Sequence, residues 1–147
     1  MLPTIAIVDD DEGHSYLIRE NLESAGLLNR IESFRDGQEF LDFMFMRGEG
    51  RKRQSGLNYL VLLDIRMPKV DGVEVLRQIK ADPELRKLPV IMLTTTDDAR
   101  EVDRCHLLGC SGYVQKPVDY DRFSKAIRNM ALFLPLLLVP KVDGIAV

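Results

Sequence analysis

Short apolar runs separated by stretches of helical period do most to limit what this chain can fold into. Thr4-Ile5-Ala6-Ile7-Val8 and Tyr59-Leu60-Val61-Leu62-Leu63 are rich in branched or aromatic side chains and lack the alternation of a strand that faces water on one side. Such strands are covered on both faces, as in a parallel sheet with helices above and below it. Pro89-Val90-Ile91-Met92-Leu93 repeats the pattern, and Arg30 to Phe34 and Gly112-Tyr113-Val114-Gln115 are weaker versions of it. Helical periods fill the gaps. The first helix is expected from about Ser15, with Leu17, Ile18, Leu22 and Ala25 on one face and Gly26 at its end. Others follow Asp36-Gly37 and Asp71-Gly72, run from about Asp98 to Leu108 with Gly109 as cap, and start near Asp119. Right-handed crossovers between parallel strands put helices on both faces, so five strand–helix units predict an α/β fold.

Composition narrows the classes. A length of 147 residues suits one compact domain, and 46% apolar with 29% charged residues is the balance of a soluble protein. A net charge of -3 argues against nucleic acid as a partner. No apolar run reaches membrane-spanning length, and no basic-then-apolar leader opens the chain, so the expected location is cytoplasmic with no membrane partner. Cys105 and Cys110 read as small apolar side chains in a reducing compartment. With His106 they also suggest a metal, but three ligands on one helix lack the usual second pair. Arg47 to Gly56 holds three glycines, four Arg or Lys residues and nothing apolar. It is expected to be a mobile, solvated loop, with a basic docking patch as the alternative.

In open parallel sheets, ligands bind beyond the carboxyl ends of the strands. Strand one releases Asp9-Asp10-Asp11-Glu12 there, strand three Asp64, strand four Thr94 and strand five Lys116. Each has an ordinary alternative: an Asp after a strand commonly caps a helix, the role preferred for Asp11, and a lone Thr or Lys is usually a turn or solvated residue. Together they converge on one rim. Two carboxylates about 4 Å apart repel by roughly 4 kcal/mol at an effective dielectric near 20. A hard divalent cation with oxygen ligands relieves that repulsion, and Mg²⁺ uses one or two carboxylates plus phosphate and water. Metal and lysine would then supply positive charge to phosphoryl oxygens.

The motifs Ile7-Val8-Asp9-Asp10-Asp11-Glu12, Leu62-Leu63-Asp64-Ile65-Arg66-Met67-Pro68 with Asp71-Gly72, Pro89 to Thr94, and Gly112-Tyr113-Val114-Gln115-Lys116-Pro117 occur in this order. Over about residues 4 to 132 the chain resembles the CheY-like receiver domain of bacterial two-component response regulators. The resemblance implies a flavodoxin-like, doubly wound five-stranded sheet of order 2-1-3-4-5. It makes Asp64 the phosphoacceptor, attacking a kinase phosphohistidine. Asp10 and Asp64 would hold Mg²⁺ directly (Mn²⁺ could substitute), with Asp9 assisting through water and Arg66 giving its backbone carbonyl. Thr94 and Lys116 would bind the phosphoryl oxygens. Thr94 and Tyr113 would form the switch that alters the helix 4–strand 5–helix 5 face, unless Tyr113 is only a half-buried core residue. The Lys116–Pro117 bond is usually cis in such domains, and Arg66 and Thr96 would flank the path of the hydrolytic water.

A receiver over 1–132 leaves 133–147, beginning Phe133-Leu134-Pro135-Leu136-Leu137-Leu138-Val139-Pro140. This apolar extension is expected to be a homodimerisation arm rather than to fold back on its own domain. Together with the long loop before strand three, it resembles the stand-alone regulators of phytochrome-type histidine kinases, which implies such a kinase as partner. Two rivals stand beside this reading. A haloacid dehalogenase-type phosphatase would use Asp9 and Asp11, although Gly13 departs from its motif and Asp64 is left idle. A receiver-like scaffold would have lost the chemistry.

Overall fold

The computed structural model describes residues 2–95 and 97–144. In chain order the elements are β1 (Thr4–Val8), α1 (Glu12–Ser24), β2 (Ile31–Phe34), α2 (Gly37–Met44), β3 (Leu57–Leu63), α3 (Gly72–Ala81), β4 (Val90–Thr94), α4 (Ala99–Leu108), β5 (Gly112–Gln115), α5 (Tyr120–Phe133) and β6 (Lys141–Val142). Turns of 3-10 helix at Leu85–Lys87 and Leu134–Leu136 precede β4 and follow α5. The sheet order is β2-β1-β3-β4-β5, all parallel, as the resemblance implies.

Side-chain alternation along the central strands sorts the core into two layers. Ala6, Val8, Tyr59, Val61 and Leu63 meet Phe40, Leu41, Leu76, Ile79 and Cys105 from α2, α3 and α4. Ile5, Ile7, Leu60 and Leu62 meet Leu17, Ile18, Leu22, Phe123 and Ile127 from α1 and α5. Full burial of each such side chain contributes about 1.5–3 kcal/mol, so unbroken apolar strands are stable only between two helical layers.

Each α-helix starts on an aspartate. Asp11, Asp36, Asp71, Asp98 and Asp119 accept hydrogen bonds from the backbone N–H groups of His14, Glu39, Glu74, Arg100 and Arg122. These caps set where the helices begin. Asp11 therefore starts α1 at Glu12, a turn before the start that the apolar period alone suggests, and Ala25 is an exposed C-cap. Gly109 closes α4 at φ 106°, a left-handed conformation that suits glycine.

Two segments outside the main elements are tied to the domain at particular points, although residues 47–52, 54 and 55 are exposed, as expected of a solvated loop. The stretch before β3 is anchored, because Arg53 is 4% exposed and its guanidinium donates to the carbonyls of Met44, Val142 and Asp143. Much of residues 133–144 lies on its own domain: Leu134 joins the α1–α5 layer, and Val142, fully buried, joins the opposite one. β3 pairs with β1 from Tyr59 and with β4 from Val61, leaving Leu57 and Asn58 for antiparallel pairing with Val142 and Lys141. Phe133, Leu136 and Leu138 remain exposed.

Candidate phosphoryl-acceptor site

The register of the sheet brings the motif residues to one rim. Val8 pairs with Leu63, so Asp9 and Asp64 leave adjacent strands side by side, and the Asp64 N–H donates to the Val8 carbonyl at 3.0 Å. Oxygens of Asp9, Asp10 and Asp64 all lie within 4.8 Å of one another. Asp9 and Asp64 are buried and Asp10 is exposed. Lys116 reaches this cluster from β5, its Nζ 2.5 Å from Asp9 Oδ2 and 3.5 Å from Asp64 Oδ2.

The loop after Asp64 requires one particular glycine. A Cβ on Gly72 would stand 2.0 Å from the Asp64 carbonyl oxygen. Only the bare backbone lets α3 begin so close to the acceptor strand, which explains the Asp71-Gly72 pair. Within that turn, Asp64 Oδ1 accepts from the Ile65 N–H at 2.8 Å, leaving Oδ2 toward Lys116.

Charge at the rim is poorly balanced. Burial raises the Asp9 pKa above the ordinary carboxylate range, although Lys116 pulls it down; the Asp64 charge raises it further. Three carboxylates answer to one ammonium, and their spacing and all-oxygen chemistry fit a hard divalent cation. Thr94 carries a second sign of incompleteness. Fully buried at the end of β4, its Oγ1 has no hydrogen-bond partner among the described residues. An orphaned buried hydroxyl costs about 1–3 kcal/mol, and an incoming phosphoryl oxygen would relieve that cost.

The remaining predicted residues take varied positions. The Arg66 side chain points away, 67% exposed, with a guanidinium nitrogen 3.5 Å from Glu101 Oε2. Tyr113 is partly buried on β5 and packs against the α2–α4 layer. Asp11 is the α1 cap, so the dehalogenase reading loses its second acid. Thr96 lies outside the described residues. The Lys116–Pro117 peptide is trans, since no cis bond occurs among the described residues. The sequence leaves the isomer open, and Lys116 reaches Asp9 from the trans form. Cys105 and Cys110 are buried and unpaired; burial pushes the Cys105 thiol up to about 11. Among the described residues, the acidic trio is the one group suited to a metal, which removes the reading that included His106.

Sequence reasoning passed over His14. In the first turn of α1, its Nδ1 lies 3.1 Å from Lys116 Nζ. Its place three residues after the Asp11 cap, on a helix starting at the rim, was the available signal.

Comparison with known proteins agrees with this geometry. Residues 5–128 match the family described as Response regulator receiver domain. A receiver domain structure from Rhodospirillum rubrum superposes with TM-score 0.89 at 41% identity, covering 96% of this chain and 99% of the other. Response regulator Rcp1 of Synechocystis is 31% identical over 88% of this chain and 86% of its own length. Its Mn²⁺-bound structure superposes with TM-score 0.82 at 28% identity, covering 94% and 99%. The phosphorylated cyanobacterial phytochrome response regulator RcpA superposes with TM-score 0.83 at 28% identity, covering 95% and 99%.

Proposed function

The chain belongs to the response regulator receiver family of two-component systems, and from that premise we propose that Asp64 is the carboxylate that takes the phosphoryl group. The observation that carries this assignment is the gathering at Asp64 of two further carboxylates and a buried ammonium, with a buried Thr94 hydroxyl that has no partner among the described residues ending the neighbouring β4. One Asp64 oxygen attacks the phosphorus of a kinase phosphohistidine. The new P–O bond forms as the P–N bond breaks, and the imidazole leaves with the bonding pair and takes up a proton. Lys116 pairs with one phosphoryl oxygen, and the Thr94 hydroxyl donates to another. Asp9, Asp10 and Asp64 would hold a divalent cation with the Arg66 carbonyl, Mg²⁺ by preference and Mn²⁺ as a substitute. Bound there, the cation supplies positive charge to the phosphoryl oxygens.

Thr94 ends β4, and its neighbour β5 carries Tyr113, so a shift of the threonine toward a phosphoryl group would be felt at the α4–β5–α5 face. A difference of a few kcal/mol between the two arrangements suffices for phosphorylation to change their populations. The likeness to Rcp1 and RcpA supports a phytochrome-type sensor histidine kinase as phosphodonor. Exposed Phe133, Leu136 and Leu138 support a second copy of this chain as partner at the segment after α5. The described residues contain no helix long and apolar enough to cross a membrane.

Incubation with acetyl phosphate or phosphoramidate and Mg²⁺, followed by intact-mass measurement, tests the assignment. One added phosphoryl group is expected, absent from Asp64→Asn and after chelation. An unchanged mass for the unsubstituted protein would overturn it in favour of a scaffold.

A further inference from the structure

An imidazole covers the lysine of the site, and the chemistry above gives it no task. An ammonium has three protons to donate and no means of accepting. Among the described residues, Lys116 Nζ has three polar neighbours: Asp9 Oδ2 at 2.5 Å, His14 Nδ1 at 3.1 Å and Asp64 Oδ2 at 3.5 Å. Because the ammonium only donates, Nδ1 of His14 is the accepting nitrogen, and the ring proton belongs on Nε2. That nitrogen faces the Asp11 carboxylate at 3.7 Å.

The imidazole is held in place from several sides. Its backbone N–H is tied to Asp11 Oδ1 at 3.0 Å, and its ring lies tilted against Phe123 with centroids 5.5 Å apart. The Phe123 ring also lies 5.8 Å from the ammonium. The His14 side chain is 37% exposed and that of Lys116 only 1%, so the imidazole stands between the buried charge and water.

We propose that His14 is a positioning residue for phosphoryl transfer. Together with Asp9 it takes two of the three lysine protons and aims the third at the Asp64 oxygen where the phosphoryl group arrives. The inference rests on the roles proposed above for Asp64 and Lys116. A donor fixed before the charge arrives needs no reorientation when it does, and donors fixed in this way contribute strongly to stabilising transferred charge. Without the imidazole, the ammonium is free to rotate and water enters to solvate it. The loss then falls on phosphoryl binding, which uses Lys116, and spares metal binding, which uses the carboxylates.

The test uses the full chain, with beryllofluoride as the phosphoryl mimic. Mg²⁺ affinity is measured first. Beryllofluoride affinity and the rate of phosphorylation by acetyl phosphate are then measured at saturating Mg²⁺. His14→Leu is expected to lower both of the latter by roughly fivefold to tenfold, the worth of one ordinary net hydrogen bond. Its Mg²⁺ affinity should stay within about twofold of the unsubstituted protein, the worth of well under one such bond. His14→Asn, whose amide oxygen can accept near the place of Nδ1, should recover most of the loss. In a Lys116→Met background, His14→Leu should add nothing. If thermal melting shows that His14→Leu does not fold, His14→Ala carries the same comparison. Unchanged beryllofluoride affinity, a proportionate loss of Mg²⁺ affinity, no rescue by asparagine, or an additive double variant would each overturn the proposal. Failure of the unsubstituted protein to take either phosphoryl group or beryllofluoride would instead overturn the assignment of Asp64, and this inference with it.

Discussion

Lys116 and Arg53 are both nearly removed from solvent, at 2% and 4% exposure, yet Lys116 faces carboxylates and Arg53 faces carbonyl oxygens. They lie at opposite ends of the sheet, Lys116 beyond the carboxyl end of β5 and Arg53 beside the amino end of β3. At the rim, one ammonium is outnumbered by three carboxylates, and at the end of β4 the buried Thr94 hydroxyl has no hydrogen-bond partner among the described residues. That end is left open to further positive charge and to a phosphoryl group. At the other end, the guanidinium spends its donors on Met44, Val142 and Asp143, and the Asp143 N–H in turn donates to Glu84 Oε1. Those groups are satisfied. Burying a cation can thus serve either chemistry or cohesion, and its partners decide which.

The comparison breaks most easily at Arg53. Arg53→Met keeps the length and apolar stem but takes the guanidinium donor from the Met44 and Asp143 carbonyls, while the Val142 carbonyl keeps the Gly56 N–H at 2.8 Å. Buried acceptors left in this way cost about 1–3 kcal/mol each, less where water reaches them. A loss of about 2–4 kcal/mol in unfolding free energy by urea titration is expected. Phosphorylation per folded molecule should be unchanged. A loss under about 0.5 kcal/mol, the usual range for a surface change, would show that Arg53 is not a clasp. A parallel loss of phosphorylation would show that the two ends are coupled.

At the rim the expected effect is smaller and falls on a ligand instead of on the fold. Asp10→Asn removes one charge from the trio and should weaken Mg²⁺ at least about tenfold by calorimetric titration. In chelator the same variant should melt at the original temperature or above it, because the carboxylates then repel each other less. A variant that loses stability in chelator while keeping its Mg²⁺ affinity would place Asp10 with the cohesive groups and erase the contrast.

Legibility in sequence followed the same division. The five parallel strands and the rim residues were readable because continuous apolar runs have few ways to be buried, and because sheet topology alone brings strand ends together. Asp9, Asp10, Asp64 and Lys116 meet where the argument from strand ends puts them, and Thr94 ends the neighbouring β4, its carbonyl accepting from the Lys116 N–H. Arg53 was not readable. In sequence it belongs to a basic, glycine-rich loop, and its burial depends on carbonyls from residues up to 90 positions away. β6 is two residues long and owes its existence to the overhang of β3 beyond its neighbours, which no local pattern encodes. His14 looked like an ordinary first-turn residue, since its importance comes from Lys116, 102 positions later.

The finest test concerns whether β6 and the loop before β3 act as one unit. Val142 is fully buried in the α2–α4 layer, and Val142→Ala removes two methyl groups there. Lost transfer energy at about 0.8 kcal/mol per methylene, with a small cavity added, predicts destabilisation of about 1.5–2.5 kcal/mol, less than at Arg53. Because the Val142 carbonyl accepts from Arg53 and its N-terminal neighbour Lys141 pairs with Asn58, either change loosens the same strand. Arg53→Met with Val142→Ala should therefore cost clearly less than the two single losses added together, by 0.5 kcal/mol or more. Strict additivity would mean that the strand stays in place when either support is removed, and that the guanidinium merely satisfies nearby carbonyls. Beryllofluoride and Mg²⁺ affinities should be unmoved in all three variants, because nothing at the rim leans on β6.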